Sequence, residues 1–398
     1  MKILLADSFP AEYVDELIGK GHKVEYRPDI MTADLAREIG TSDILVVRST
    51  EITESDLESA SDLSLVIRAG AGTNTIDTQA AANRGIFVAN VPGRNAIAVA
   101  ELTMGLILAV DRRIPDNVSE LRAGVWNKKD FSEAKGLHGR NLGIVGLGSI
   151  GLLVAARAAA FGLQVHGLAK KRSEAIAERV AELDIELHDD LIQLAGAVEI
   201  ISFHLPASPD TEHIINEQLL NALKPGTTLI NTSRSDLVDE AALLTALDEK
   251  DLWAGFDVYE DEPKSGEEIH SALAKHPRFY GTHHIGASTA QAQEAVAAGV
   301  VQIIDEYVAG NIINTVNLEL QVLGTKTLSI RHLNRVGVLA AVLSIVRDAG
   351  HNVRQMTNHI FQGAEAAIAI LQIEGEITPE TIAQLENTET VIHVLIST

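Results

Sequence analysis

The sequence predicts an α/β protein with two doubly wound parallel-sheet domains, followed by a small α+β domain. Short apolar runs alternate with amphipathic stretches in the first part of the chain, which is typical of βαβ units and a parallel sheet. A glycine-rich turn after the apolar run Asn141–Gly146 opens a second series of the same kind. From Thr325 the pattern changes to βαββαβ, which indicates a separate small domain.

Each predicted domain has its own elements. The first series has strands at Lys2–Asp7, Lys23–Arg27, Ile44–Arg48, Leu65–Arg68 and Ile86–Asn90, with helices at Pro10–Lys20 and Asp77–Arg84. The second has strands at Asn141–Gly146, Gln164–Leu168, Ile200–Leu205, Thr228–Asn231, Trp253–Val258 and Phe279–Thr282, with helices at Ile150–Phe161 and Glu240–Glu249. Long helices at Ala96–Arg112 and Ser288–Ala309 flank it. The tail has strands at Lys326–Arg331, Val353–His359, Ala366–Ile373 and Val391–Ile396, and helices at Gly337–Ala349 and Pro379–Leu385.

Composition limits the possible functions. The net charge of −23 argues against nucleic-acid binding through a basic surface, because phosphate would be repelled. No cysteine is present, which excludes disulfides, thiolate metal sites and a cysteine nucleophile, and we predict no metal site. The apolar runs are too interrupted to span a membrane, and the first residues do not resemble a secretory signal, so a cytoplasmic location is expected.

The glycine-rich turn has the spacing G-x-G-x-x-G at Gly146, Gly148 and Gly151. The first glycine would make the tight turn, the second would let a pyrophosphate approach the backbone, and the third would let helix and strand pack closely. Ser149 and Ile150 open the helix, where free N–H groups attract phosphate. A turn that serves packing alone is the alternative. The strand before the turn and the helix after it favour a Rossmann-like, dinucleotide-binding domain.

The end of the second strand in this domain sets cofactor preference. An acid about 20 residues after the fingerprint binds the ribose 2′-hydroxyl of NAD. Here that position is Ala169, followed by Lys170, Lys171 and Arg172. Cations would bind the 2′-phosphate of NADP, so NADP or dual use of NAD and NADP is favoured. The alternative is a solvated, basic helix start.

Polar residues follow three later strands, at the sheet edge where α/β ligand sites form. Hydride transfer from a 2-hydroxy acid needs a cation for the carboxylate, a base for the hydroxyl proton, and a carboxylate that holds the base in one tautomer. Arg234, His284 and Glu262 are of these three types. Taken singly, each also has an ordinary interpretation, as a surface cation, a helix-start residue and part of an acidic turn.

Together the motifs closely resemble the D-isomer-specific 2-hydroxy acid dehydrogenases over nearly the whole chain. The shared segments are Arg68–Asp77, Gly85–Pro92, Ala100–Glu101, the glycine fingerprint, His204–Pro206 with Thr211, the three segments that follow the later strands (Asn231–Arg234, Asp257–Pro263 and Thr282–Ser288), and Asn314–Asn317. The resemblance implies that Arg234, Glu262 and His284 are catalytic. It also implies that the cofactor contacts His204, Pro206, Thr211, Asp257 and the backbone of Thr232 and Ser233. Ser235 and His283 depart from the family's usual Gly and Pro, but neither removes a catalytic group.

The resemblance also implies the domain organisation. Residues 1–95 and 286–323 would form a discontinuous substrate-binding domain, residues 96–285 the dinucleotide-binding domain, and residues 324–398 a regulatory domain. The two long helices would connect the first two domains. The active site would lie in the cleft between them, and hinge closure over the substrate is expected.

The tail resembles an ACT domain, a regulatory module for small ligands. In family members that oxidise D-3-phosphoglycerate and bind L-serine, the residues matching His332, Asn334 and Asn352 contact the effector across a pair of domains. The resemblance therefore implies an amino-acid effector, L-serine, and a homo-oligomer, most simply a homotetramer. An assembly module that binds nothing is the alternative.

The tail also favours 3-phosphoglycerate as substrate, oxidised to 3-phosphohydroxypyruvate in the first step of L-serine biosynthesis. By resemblance, Arg48 and Arg68 match substrate-phosphate positions. Asn95 lies nearby, directly before the connecting helix Ala96–Arg112, and Lys128 would come from a neighbouring subunit. Arginines paired with local surface acids are the alternative.

Two other functions stay open. One is an NADPH-dependent hydroxypyruvate or glyoxylate reductase, which the basic cluster at 170–172 favours. The other is a non-enzymatic, corepressor-like sensor of nicotinamide cofactors, against which the intact set of Arg234, Glu262 and His284 argues.

Overall fold

The computed structural model describes residues 1–30, 32–263, 266–319 and 326–397. The chain divides into two compact units, Met1–Asn317 and Leu318–Thr398. The first unit contains two parallel sheets and the second an antiparallel sheet. The expected domain boundary between residues 323 and 324 lies outside the described residues. In the described part of the chain, no helix combines the length and the apolar character needed to cross a membrane.

The first sheet has five parallel strands in the order β2-β1-β3-β4-β5. They are β1 (Lys2–Leu5), β2 (Lys23–Tyr26), β3 (Ile44–Val47), β4 (Leu65–Arg68) and β5 (Phe87–Asn90). The helices between them are α1 (Ala11–Gly19), α2 (Thr32–Ile39), α3 (Glu54–Glu58) and α4 (Thr78–Asn83). Successive residues of β3 enter two different apolar cores, so the sheet is buried on both faces, as parallel sheets are.

Residues from much later in the chain complete one face of this sheet. In a helix at Ala290–Val308, Ala297 belongs to the same apolar core as the first strands. Beyond that helix, the side-chain oxygen of Asn317 accepts a hydrogen bond from the Val88 N–H at 2.9 Å, and its NH₂ donates to the Ile86 carbonyl at 2.8 Å. Two separate parts of the chain therefore build the first layer.

The second sheet has seven parallel strands in the order β12-β11-β10-β9-β6-β7-β8. They are β6 (Asn141–Val145), β7 (Gln164–Leu168), β8 (Glu186–His188), β9 (Ile200–Phe203), β10 (Thr228–Asn231), β11 (Trp253–Phe256) and β12 (Phe279–Gly281). The helices that follow α4 are α5 (Ala96–Arg112), α6 (Ile114–Arg122), α7 (Ser149–Ala160), α8 (Glu174–Glu182), α9 (Leu191–Ala197), α10 (Glu217–Ala222), α11 (Glu240–Glu249) and α12 (Ala290–Val308). The strand order reverses at β6, which lies between β7 and β9, and doubly wound sheets bind ligands at such a switch point.

The second unit is an antiparallel sheet in the order β14-β15-β13-β16. Its elements are β13 (Lys326–Leu333), α13 (Val338–Asp348), β14 (Val353–Ile360), β15 (Ala366–Ile373), α14 (Pro379–Glu386) and β16 (Val391–Ser397). Alternate residues of β15 are buried, and they share an apolar core with Val342 and Leu385 of the two helices. This is the predicted βαββαβ domain, with helices on one face of its sheet.

Several predicted elements coincide with those of the structure. Helix Ala96–Arg112 and strand Thr228–Asn231 have the predicted bounds. The helix that was expected to follow the basic cluster is α8, whereas no bounds were predicted for α2, α3, α6, α9, α10 and β8. Strand β8 is only three residues long and none of them is buried, so it has no apolar run from which to recognise it.

Candidate active site

The glycine fingerprint forms the turn between β6 and α7. Gly146 has φ +108°, and a Cβ there would lie 2.4 Å from the carbonyl oxygen of His204. A Cβ on Gly151 would lie 2.0 Å from the Gly146 carbonyl oxygen. Gly148 has no atom within 4 Å of its Cβ position, so its outer side is open. Two glycines are thus required for packing and the third leaves room at the helix start, which fits a bound pyrophosphate.

The end of β7 has no acid. Ala169 and the two lysines after it are exposed, whereas the Arg172 guanidinium donates a hydrogen bond to the Leu168 carbonyl oxygen. Neither Lys170 nor Lys171 forms an ion pair within the described part of the chain. Lys170 and Lys171 therefore lie at the end of β7, which is where the ribose 2′-hydroxyl or 2′-phosphate of a dinucleotide is expected to bind.

The motif His204–Pro206 follows β9 across the switch point. Burial lowers the pKa of His204 to about 4, so this imidazole is neutral. Its Nε2 lies 2.9 Å from the Ser202 hydroxyl. The Thr211 hydroxyl donates to the Pro206 carbonyl oxygen at 2.8 Å and so closes the loop beside the glycine turn. These residues have structural contacts of their own in addition to the cofactor contacts expected from the resemblance.

Asn231, at the end of β10, positions Arg234. Its side chain is fully buried, accepts hydrogen bonds from the Ser233 N–H and hydroxyl, and donates to the Arg234 carbonyl oxygen at 2.8 Å. The guanidinium lies against the loop after β4, because a Cβ on Gly72 would be 3.2 Å from its Nη2. A buried asparagine directly after an apolar strand is the signal that could have identified this positioning role.

Asp257 fixes the turn that carries His284. Its carboxylate is 1% exposed and accepts hydrogen bonds from the Thr282 hydroxyl at 2.5 Å, the Ile285 N–H at 2.8 Å and the Gly286 N–H at 2.7 Å. His284 has φ +51°, a left-handed conformation that costs energy outside glycine. The hydrogen bonds that Asp257 accepts from residues on either side of His284 hold it in that conformation.

His284 and Glu262 form a hydrogen-bonded ion pair. The Nδ1 to Oε2 distance is 2.6 Å, and the other carboxylate oxygen of Glu262 accepts from the Tyr259 N–H at 3.2 Å. The Glu262 hydrogen bond raises the pKa of His284 against the opposing effect of burial. Burial would raise the pKa of Glu262, but the hydrogen bond and the charges of His284 and Arg234 lower it overall. Because Nδ1 donates to Glu262, Nε2 is the nitrogen available for proton transfer.

His284 lines a cavity of about 390 Å³ in the first unit, together with Arg48, Arg68 and Asn95. Burial lowers the pKa of Arg68, and the positive charges of Arg48 and Arg234 lower it further, so the three guanidinium groups are close together. The Arg68 Nε is buried with no hydrogen-bond partner among the described residues. Of these three arginines, Arg48 and Arg68 line the cavity, and two guanidinium groups whose charges repel each other are suited to bind an anion between them.

Asp7 was missed in the sequence analysis, although it also lines this cavity. Its Oδ2 accepts hydrogen bonds from the N–H groups of Arg48, Ser49 and Thr50, at 2.6 to 3.0 Å. It therefore shapes the loop that presents Arg48. An acid immediately after the first strand was a usable signal, because it lies at the ligand-binding edge of the sheet.

Lys128 does not line the cavity within one chain. It lies in a different surface depression with Trp126, whose side chain is 82% exposed. The contact of Lys128 from a neighbouring subunit stays a prediction.

The expected effector residues of the second unit differ in accessibility. His332 is 2% exposed, and its two ring nitrogens lie 2.9 Å from the Leu333 carbonyl oxygen and 3.1 Å from the Asn358 side-chain oxygen. The Asn334 NH₂ donates to the Ala364 carbonyl oxygen at 2.9 Å, and Asn352 is exposed. In this chain, the two asparagines are better placed than His332 to contact a ligand.

Comparisons with known proteins identify the family and the fold. Residues 104–286 match the family model of the D-isomer specific 2-hydroxyacid dehydrogenase, NAD binding domain. A Thermus thermophilus protein of known crystal structure, TT0316, is 30% identical, with a TM-score of 0.70 over 79% of this chain and 100% of that one.

Two relatives have named activities. Hydroxypyruvate reductase of Thermotoga maritima is 39% identical over 273 residues, which are 68% of this chain and 86% of that protein. D-3-phosphoglycerate dehydrogenase of Methanocaldococcus jannaschii is 37% identical over 330 residues, which are 81% of this chain but only 61% of that protein. The match therefore spans less than two thirds of the latter relative. The chain belongs to the D-isomer-specific 2-hydroxyacid dehydrogenase family.

Proposed function

We propose that this protein oxidises D-3-phosphoglycerate to 3-phosphohydroxypyruvate with a nicotinamide cofactor. The observation that carries the proposal is the His284–Glu262 pair at a cavity that also contains Arg48 and Arg68. An acid–base pair serves any 2-hydroxy acid, whereas two further arginines suit a second anionic group such as phosphate. The relative named D-3-phosphoglycerate dehydrogenase supports the same substrate.

In this proposal each residue has a distinct task. Arg234 binds the substrate carboxylate, and the Nε2 of His284 takes the proton from the C2 hydroxyl. Glu262 stabilises the imidazolium that results, because a nearby carboxylate favours the charged form. A nicotinamide ring, when bound, accepts the hydride that leaves C2. The open side of Gly148 and the start of α7 are suited to hold its pyrophosphate.

The phosphate of the substrate is assigned to Arg48 and Arg68, with Asn95 beside them. The position of Arg48 and Arg68 on one cavity supports this assignment, since two guanidinium groups offer several hydrogen-bond donors to phosphate oxygens. Lys128 of a neighbouring subunit is a further proposed contact, as in the homotetramer expected from the resemblance. The substrate-binding and cofactor-binding domains remain those proposed above, with residues 1–95 and 286–323 facing residues 96–285.

A second candidate is an NADPH-dependent hydroxypyruvate or glyoxylate reductase. The exposed Lys170 and Lys171 favour it, and so does the relative named hydroxypyruvate reductase. Initial rates with 3-phosphohydroxypyruvate, hydroxypyruvate and glyoxylate, each with NADH and NADPH, distinguish the candidates. A higher kcat/KM for the phosphorylated substrate supports our proposal, and a preference for either unphosphorylated acid overturns it. Tight cofactor binding without turnover of any of them would instead indicate a corepressor-like sensor.

Glu262→Gln is expected to move the pH profile of kcat/KM toward lower pH. Oxidation needs neutral His284, so its rate rises as pH passes through the pKa of that residue. Glu262 raises this pKa, so its replacement by a neutral amide lowers the pKa and moves the rising limb to more acidic pH. The neighbouring variant Asp261→Asn serves as the control and should leave the profile in place. If the rising limb of the kcat/KM profile stays at the same pH in Glu262→Gln, the pairing of Glu262 with His284 is contradicted.

The basic cluster predicts cofactor preference. Lys170→Ala and Lys171→Ala are expected to weaken NADPH binding with little change for NADH, because only NADPH has a 2′-phosphate. Ala169→Asp is expected to reverse a preference for NADPH. Fluorescence titration of both cofactors measures the effect, with Lys129→Ala as a control for loss of one surface charge. Equal affinities for NADH and NADPH in the parent protein would indicate that the basic cluster is a solvated helix start and does not select the cofactor.

We further propose that the second unit is an ACT-type regulatory domain that binds L-serine. Asn334 and Asn352 offer side-chain oxygens to an ammonium group. L-serine is expected to raise the thermal midpoint of the full chain, and Asn352→Ala to abolish that shift, while Asn387→Ala retains it. Deleting the residues after Leu323 should leave an active enzyme that no longer responds to L-serine. No shift and no change of rate with L-serine or glycine would leave the unit as an assembly module.

A further inference from the structure

Two histidines and a glutamate meet at the edge of the seven-stranded sheet, and none of them lines the cavity described above. They are His166 on β7 and Glu186 and His188 on β8. We propose that these three side chains bind a divalent transition-metal ion of the zinc type. The proposal is independent of the substrate proposed for the enzyme.

The three ligand atoms are already close together. The Nδ1 of His166 lies 3.0 Å from the Nε2 of His188 and 3.7 Å from Oε2 of Glu186, whereas the Nε2 of His188 lies 3.7 Å from the other oxygen, Oε1. With one ligand atom taken from each residue, the three atoms all lie within 4.8 Å of one another. Zinc binds imidazole nitrogen at about 2.0–2.1 Å and carboxylate oxygen at about 2.0–2.2 Å, so two ligands of one tetrahedral ion are roughly 3.4 Å apart. The observed separations bracket this value, and small side-chain movements suffice to receive the ion.

Strand pairing explains why these residues meet. In the parallel register His166 is opposite Glu186, and Leu168 is opposite His188. Because side chains alternate between the faces of a sheet, Glu186 and His188 project from the same face as His166. Along the chain, 22 positions separate the two histidines, so no short sequence motif indicates the cluster.

The chemistry of the cluster is that of a zinc site. Two neutral imidazoles and one carboxylate are a common set of protein ligands for zinc, with water in the fourth position. The hydrogen bond between the facing nitrogens of the two histidines needs one donor and one acceptor, so one of these nitrogens has a lone pair directed into the cluster. The other nitrogen of His166 is buried and has no hydrogen-bond partner among the described residues, so no neighbour fixes its tautomer. In the tautomer with the proton on Nε2, the Nδ1 of His166 presents its lone pair to an ion.

A bound ion would join β8 to the rest of the sheet. Strand β8 is an edge strand whose sheet neighbour is β7, over three residue pairs. The N–H of Ala169 donates to the His188 carbonyl oxygen at 2.8 Å, so the segment that begins the basic cluster rests on the same strand. Metal binding should thus raise the stability of this edge, by mass action on the folded state.

The test uses the full chain without an affinity tag, titrated with ZnCl₂ in a calorimeter and followed by thermal unfolding. We expect saturable binding near one ion per chain and a higher thermal midpoint. Glu186→Gln should weaken Zn²⁺ binding at least about tenfold, a loss that even outer-sphere partners of metal ligands cause. Its side chain is 67% exposed, so this variant should fold normally. His188→Gln should abolish the heat of binding.

Two controls separate this site from other histidine–carboxylate pairs. His276→Gln removes a histidine that forms an ion pair with Asp248 at 3.2 Å and accepts a hydrogen bond from the Arg278 N–H, and this variant should bind Zn²⁺ as the parent does. His284→Ala removes the pair with Glu262 and should also retain binding at the cluster. The proposal is overturned if the parent gives neither heat nor a thermal shift, or if His284→Ala loses the binding while Glu186→Gln keeps it.

Discussion

Replacing His284 with alanine is expected to lower kcat by at least about a hundredfold, the usual scale of general acid–base catalysis. The variant lacks the imidazole that takes the C2 hydroxyl proton as the hydride leaves. Glu262 does not take over this role, because in the parent protein its carboxylate contacts Nδ1, the ring nitrogen on the side away from the substrate, and so lies about one ring farther from the C2 hydroxyl. Steady-state oxidation of D-3-phosphoglycerate measures the loss, and single-turnover kinetics assign it to chemistry.

The adjacent histidine is the matched control for this experiment. His283 is exposed and precedes His284 in the same turn, so His283→Ala changes the same kind of residue without removing the proposed base. It should retain kcat within about twofold, since surface substitutions have small effects. Equal activities of His284→Ala and the parent protein would remove His284 from its catalytic role.

The second large effect is expected at Arg234. Arg234→Ala should lower kcat/KM about a hundredfold, with a higher KM and a lower kcat, because a charge-assisted hydrogen bond to the carboxylate is worth about 1.5–3 kcal/mol. The charge of Arg234 also lowers the pKa of His284. The rising limb of the pH profile should therefore move to higher pH in this variant, opposite to the shift expected for Glu262→Gln.

Two substitutions test whether charge alone explains the role of Arg234. Arg234→Lys keeps the positive charge but lacks the planar guanidinium with its paired donors. Compared with Arg234→Ala, it should therefore restore the pH at which kcat/KM rises, but only part of the value of kcat/KM. Arg278→Ala removes an arginine whose ion pair is with Asp251 and should leave both parameters near those of the parent. An unchanged KM in Arg234→Ala would exclude its proposed contact with the substrate carboxylate.

Much of the fold and of the proposed site was predictable because the relevant patterns are local. Parallel strands buried on both faces appear as short apolar runs, and β3 and β10 were predicted from them. The fingerprint glycines depend on backbone approach within one βα turn, where Gly146 and Gly151 leave no room for a side chain. Arg234, Glu262 and His284 were named because each follows a predicted strand.

Other features needed the tertiary structure. The sequence identified Arg48, Arg68 and Arg234 separately, but only the packed loops bring their charges close enough to lower the pKa of Arg68. The positioning roles of Asn231 and Asp257 depend on hydrogen bonds within tight turns, and no periodicity predicts those bonds.

The sequence by itself determined the order of the elements, the dinucleotide turn and the types of residue available for hydride transfer. The tertiary structure decided which of these residues share a cavity, and which do not, as with Lys128. It also brought His166 beside His188, through the register of an edge strand too short to recognise. The physical reason is that local propensity and alternation act over a few residues, whereas strand order and register place residues that are far apart in the chain side by side.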